Sequence, residues 1–220
     1  MEILYEDRRV LVCLKPAGAP STDQPGGVPD LLWRQLGDDK ACLRTVHRLD
    51  QVVGGVMVLA RSRQAASLLG EQMRERGFQK EYLAVLDGEM PGEGGTLRDL
   101  LGYSKEKRRA YRGDELGPEV REALLDYQVL GRENGRTLVR VQLHTGRTHQ
   151  IRAQFSLRGF PVTGDVKYGG SPRQGEGIAL WSHRLEFSHP QTGERVTFSA
   201  PPPAVWPWTE FSQLKSNDFS

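Results

Sequence analysis

Apolar residues along the chain come in short runs, each cut off by glycine, proline or charge. Arg9 to Leu14 reads as a short buried strand, stopped by the turn-forming Lys15-Pro-Ala-Gly-Ala-Pro20. Pro29 stands where a helix would start, and Leu31, Leu32 and Leu36 share one face, so the spacing predicts a short helix over Pro29 to Leu36. Gly55 to Ala60 reads as a second buried strand. After it, Ser62 is placed to cap a helix whose inner face carries Ala65, Leu68, Leu69 and Met73 and which ends near Gly77. Lys80 to Gly88 alternates as a strand, with Tyr82, Ala84 and Leu86 on one side and Leu83 and Val85 on the other. Gly88 to Gly117 shows no periodic segment, and the expectation there is a substrate-facing loop.

Ala123 to Gly131 and Thr137 to Leu143 flank an Asn134-Gly135 pair, the signature of a tight hairpin turn that needs two residues of positive φ. Beyond Gly146, Thr148 is placed to cap a helix from about His149 to Leu157. That helix would set Arg152 one turn in, on the face shared with Thr148, Phe155 and Ser156. A closing hairpin is predicted from Leu180 to Ser188 and Arg195 to Ser199, and the proline-rich tail should wrap the surface through Trp206 and Trp208. Hairpins with a few helices between them predict one α+β domain over residues 1–220. Its sheet would be mixed but mostly antiparallel, flanked by those helices and by long loops.

Composition narrows the chemistry. Cys13 and Cys42 are the two cysteines among 220 residues, too few for a disulfide framework or a four-cysteine zinc site. His47, His144, His149 and His183 lack metal-ligand company, so no metal and no cofactor is expected. No apolar run approaches membrane-spanning length and the first residues do not resemble a signal peptide, so the expectation is a cytoplasmic protein, monomeric and away from membranes. A net charge of +2 says little about partners, but its distribution says more. Lys105, Lys107, Arg108, Arg109 and Arg112 form one basic run, and Arg147, Arg152 and Arg158 a second cluster, as a phosphate-facing surface requires. Asp50 lies between Arg48 and Gly54-Gly55. A short acid on a glycine-rich loop suits a nucleophile or general base, and equally a surface acid beside an arginine.

Four ordered motifs settle which family the chain resembles. His47-Arg-Leu-Asp50 is followed by Lys80-Glu-Tyr-Leu-Ala84, by Thr145-Gly-Arg-Thr-His-Gln-Ile-Arg152, and by Gly159-Phe-Pro-Val-Thr-Gly-Asp165 with Tyr168-Gly169. Together they resemble the RluA-type pseudouridine synthases. Tyr5-Glu-Asp7 with Leu14-Lys-Pro-Ala-Gly18, and Leu185-Glu-Phe-Ser-His-Pro-Gln-Thr-Gly193 with Phe198-Ser-Ala-Pro201, extend the resemblance over almost the whole chain. It implies the pseudouridine synthase fold and a catalytic domain without an added RNA-binding domain before it. The substrate implied is ribosomal or transfer RNA.

That reaction breaks the N1 to C1′ bond of uridine, turns the uracil and joins C5 to C1′. The resemblance assigns the catalytic carboxylate to Asp50, the wall that holds the loose uracil to Tyr82, and the cation that keeps the carboxylate ionised to Arg152. Arg48 is the candidate for the space left by the extruded uridine or for the adjacent phosphate, and His47 for ordering that loop at the RNA surface. Lys105, Lys107, Arg108, Arg109, Arg112 and Arg147 would face the RNA backbone. Two segments depart from the family pattern: Val53-Gly54 stands where Thr-Ser is usual, and Ala153-Gln154 where Val-His is usual. Two other readings are kept open. One is an RNA-binding module with a lapsed site. The other is a glycoside hydrolase, which needs a second carboxylate, with Asp165 as nominee; Gly164-Asp165 reads better as a turn that binds backbone amides.

Overall fold

A computed structural model describes residues 1–38, 41–173, 175 and 177–215. In chain order the elements are β1 (Ile3–Glu6), β2 (Val10–Lys15), α1 (Val28–Leu36), β3 (Arg44–Thr45), β4 (Gly54–Ala60), α2 (Arg63–Arg74), β5 (Gln79–Asp87), β6 (Gly94–Ser104), β7 (Arg109–Arg112), β8 (Arg121–Glu133), β9 (Arg136–Leu143), α3 (Gln150–Ser156), β10 (Leu180–Ser188) and β11 (Arg195–Ser199). This is an α+β fold. The chain divides into two compact units, the first Met1–Lys80 with Trp181–Pro202, the second Glu81–Leu180 with Pro203–Phe219.

In the first unit β2 pairs antiparallel with β1 on one side and β4 on the other, from Val10↔Ala60 to Lys15↔Gly55. β10 joins β4 in parallel at Trp181↔Gly54 and Ser182↔Gly55, and forms an antiparallel hairpin with β11. β4 is buried at every position, which is why its sequence reads as a continuous apolar run rather than an alternation. Val10, Val12, Val56, Val58, Leu185 and Phe187 form the core with Ala65 and Leu69 of α2, and Phe78 stacks on Phe187 at 5.3 Å between ring centroids. The Ser62 side chain caps α2 by accepting from the Ala65 N–H at 3.0 Å.

The second unit is antiparallel throughout, in the order β5, β9, β8, β6, β7. Asn134 (φ 51) and Gly135 (φ 70) both take the left-handed conformation that the hairpin turn requires. The tail returns onto this unit. Trp208 is buried, the Arg136 guanidinium lies 4.8 Å from the Trp206 ring, and Arg136 pairs with Glu210 at 3.2 Å.

Two local expectations are corrected here. The stretch from Gly88 to Gly117 holds β6 and β7, an antiparallel pair whose turn carries the basic run. Glycines at 94, 95 and 102 dilute the alternation, and Asp99, on the inward side between Leu97 and Leu101, reads as polar because its partners Gln154 and Arg158 are far away in sequence. The helix after Gly146 starts later than predicted and lacks a side-chain cap. His149, not Thr148, is its N-cap residue, held at φ 57. Gln150 takes over the local bonding, its side-chain oxygen accepting from the Thr145 hydroxyl at 2.8 Å and the Arg147 N–H at 3.0 Å.

Candidate active site

In the first unit, Asp50 sits half-buried at the end of a loop whose backbone is fixed from two sides. Ser21, itself buried, donates its hydroxyl to the Leu49 carbonyl at 2.8 Å and accepts the Leu49 N–H at 3.0 Å. On the other side is Lys15, which has no exposed surface. Its ammonium donates to the carbonyls of Pro16 (3.0 Å), Gln51 (3.2 Å) and Val53 (2.7 Å), so one cation gathers the loop on either side of Val52 and ties it to the end of β2. Burial pulls Lys15 down to about 8, with the negative charge of Asp50 opposing that fall. The loop closes on itself through the Val53 N–H donating to the Asp50 carbonyl at 2.9 Å. The carboxylate thus projects from a backbone that has little freedom to move.

The same loop accounts for the unusual Val53-Gly54. A Cβ on Gly54 would lie 2.6 Å from Cζ3 of Trp181, so the indole fills the space a serine side chain would need. Trp181 is itself anchored by its indole N–H donating to the Ala200 carbonyl at 2.9 Å. Gly55 (φ 124) admits no side chain either, because a Cβ there would meet the Ser182 carbonyl oxygen at 2.3 Å. Arg48 is exposed, whereas His47 is buried and its Nε2 accepts the Val58 N–H at 3.1 Å. Burial, reinforced by the positive charge of Lys80, pushes His47 down to about 3, so the ring is a neutral acceptor inside the first unit.

In the second unit, Tyr82 is buried on β5 opposite Val141 of β9. Arg152 is buried in α3 and grips Asp165 with two parallel bonds, Nε to Oδ2 at 2.6 Å and Nη2 to Oδ1 at 2.9 Å. Asp165 was read from sequence as a turn acid binding backbone amides. Its carboxylate instead holds the guanidinium in a fixed plane. With both oxygens taken and 2% exposure, it is also not the free second carboxylate of a glycosidase. Gln154, at the other departure from the family pattern, is fully buried with its amide nitrogen 2.7 Å from Asp99 Oδ2 and 3.3 Å from the Ala123 carbonyl, tying α3 to β6 and β8.

The basic residues fall in two places within this unit. Lys105, Lys107, Arg108 and Arg109 lie exposed at and beside the β6–β7 turn, with Arg112 exposed at the far end of β7. Arg147 is exposed before α3, its Nε donating to the Glu122 carbonyl at 2.8 Å. Sequence reasoning gave no role to Lys15 or Ser21 and did not pair Asp165 with Arg152. Lys15 did carry a signal, a lysine closing an apolar strand immediately before proline. Among the described residues no group of three or more histidine, cysteine, aspartate or glutamate side chains is gathered as a metal site would need, and no helix is long and apolar enough to cross a membrane.

Comparison with known proteins identifies the family and the fold. The family described as RNA pseudouridylate synthase matches residues 9–157. The uncharacterized RNA pseudouridine synthase YhcT of Bacillus subtilis is 32% identical over 213 residues, covering 93% of this chain and 69% of that protein. The ribosomal large subunit pseudouridine synthase D of Pseudomonas aeruginosa is 34% identical over 232 residues, covering 94% and 70%. Among solved structures, human RNA pseudouridylate synthase domain containing 1 superimposes with a TM-score of 0.79 at 26% identity, over 93% of this chain and 84% of that one. The four motifs, the α+β fold and these matches together place the chain in the RluA-type family of RNA pseudouridine synthases, isomerases that act on RNA.

Proposed function

We propose that this chain isomerises particular uridines of ribosomal or transfer RNA with Asp50 as the catalytic carboxylate, its two units working as one catalytic domain in a cytoplasmic monomer. The observation that carries the assignment is the loop around Asp50, pinned by a buried lysine and a buried serine while the carboxylate stays half-exposed. Such pre-organisation is useful for a group that must meet an electron-deficient sugar or base at a set distance. Relatives named as large-subunit synthases favour a ribosomal target.

In this reading Tyr82 supplies the flat wall for the detached uracil, and Arg152 supplies positive charge while Asp165 fixes its plane. Arg48 meets the RNA where the uridine leaves its stack, at a cost of a few kcal/mol. Lys105, Lys107, Arg108, Arg109, Arg112 and Arg147 meet phosphates. His47, buried and neutral, is assigned to holding the loop onto β4.

The test is pseudouridine formation by purified protein on transcribed ribosomal and transfer RNA. Asp50→Asn is expected to lower turnover by roughly a thousandfold or more while RNA affinity stays within about twofold. Turnover within about tenfold of the parent would remove Asp50 from the reaction.

A further inference from the structure

One short segment of the second unit, Asp165 to Tyr168, holds Arg152 and the basic hairpin at the same time. Asp165 grips the Arg152 guanidinium with both carboxylate oxygens. Lys167 donates its ammonium to the Arg108 carbonyl at 3.2 Å, beside the β6–β7 turn. Tyr168 is buried, and its hydroxyl accepts the Ala110 N–H of β7 at 2.7 Å. Among the described residues β7 is the last strand on its side of the sheet, so this N–H would otherwise have no strand there to pair with. The Tyr168 ring lies 4.7 Å from the Arg109 guanidinium and 5.0 Å from that of Arg152. Finally His149 Nδ1, at the start of α3, is 2.9 Å from the same hydroxyl.

The hydroxyl has one proton and already accepts from Ala110. Giving that proton to His149 Nδ1 satisfies both groups, with the imidazole proton on Nε2. Burial pushes Tyr168 up to about 12, so the proton stays on the phenol at neutral pH. A tyrosine that only filled the core would need a buried ring and one partner for its hydroxyl. Here the ring is shared by an arginine of the hairpin and the arginine of α3, and the hydroxyl by β7 and His149.

We infer that Tyr168 is a positioning residue that couples the β6–β7 hairpin to Arg152, so that RNA seated on the hairpin sets the guanidinium for the chemical step. The inference rests on the reading of Arg152 as catalytic and of the hairpin as RNA-facing.

A double-mutant cycle on the full chain tests it. Tyr168→Phe keeps the ring and removes the hydroxyl; Lys107→Gln with Arg108→Gln removes two exposed charges at the turn. RNA affinity and the single-turnover rate at saturating RNA are measured for the parent, each variant and the combination. Tyr168→Phe is expected to slow the saturated rate about tenfold with affinity within about twofold, and the turn variant to weaken binding and slow that rate severalfold. The combination should be no slower at saturation than Tyr168→Phe alone. Multiplying rate effects, or a parental rate in Tyr168→Phe, overturns the coupling and leaves the RNA-facing hairpin standing. If the turn variant changes neither affinity nor rate, the hairpin reading fails and the coupling with it. Lys167→Gln, at an exposed position that does not threaten folding, offers a second route. A reduced saturated rate at unchanged affinity supports the coupling, and a parental rate counts against it.

Discussion

Lys15 is fully buried, with its charge held by the Gln51 and Val53 carbonyls of the Asp50 loop and by the carbonyl of its neighbour Pro16. Lys15→Met would keep much of the apolar stem and leave the Val53 carbonyl without its donor, while the Gln51 and Pro16 carbonyls keep the N–H groups of Gly18 (2.7 Å) and Ala19 (3.4 Å). At about 1–3 kcal/mol for one buried unsatisfied carbonyl, the expected loss is about 1–3 kcal/mol in urea unfolding, and turnover should fall further than RNA affinity. A variant as stable and active as the parent would show that the cation holds nothing. His47 gives a second prediction, in pH. In the folded chain it binds a proton only near pH 3, whereas the ordinary value is 6.5, so between these the unfolded chain carries the extra proton. Stability therefore falls as pH drops through that window, by up to about 1.4 kcal/mol per unit from this group. His47→Gln keeps an acceptor for the Val58 N–H, and its unfolding free energy should fall less between pH 7 and pH 5 than the parent's. Equal losses would contradict the account.

At this scale the sequence named Asp50, Tyr82 and Arg152 through their motifs, yet not what holds them. The Lys15 to Val53 bond spans 38 positions and the Arg152 to Asp165 pair 13, and no local pattern signals a partner at such distances. Asp165 was legible as an acid in a turn. That it faces inward became visible only when α3 was in place.

Among the elements, those with strong local chemistry were legible. The closing hairpin lies at Leu180–Ser188 and Arg195–Ser199 as its alternation predicts, Asn134-Gly135 makes its turn, and Ser62 caps α2. β6 was not, because glycine and inward Asp99 broke its period, and the start of α3 was misplaced because Gln150 does the bonding expected of Thr148. β4 shows how an element can demand glycine for reasons outside itself. Gly55→Ala would force a Cβ into the Ser182 backbone at a φ of 124°, and we expect a loss of at least about 2 kcal/mol in urea unfolding. An alanine variant of parental stability would mean that β4 and β10 separate at little cost.

For the whole molecule, family membership rests on motifs spread along the chain, and each departure from the family pattern has a local structural companion. Trp181 closes the space beside Gly54, and Gln154 binds α3 to β6 and β8. Neither change removes Asp50, Tyr82 or Arg152, which favours an active enzyme over a lapsed one. The most direct test is to map pseudouridines in total RNA from cells that have the gene, lack it, or lack it and carry either the parent chain or Asp50→Asn. The account predicts that one or a few uridines lose modification without the gene, regain it with the parent chain and stay unmodified with Asp50→Asn. An unchanged map without the gene, or full restoration by Asp50→Asn, would contradict it.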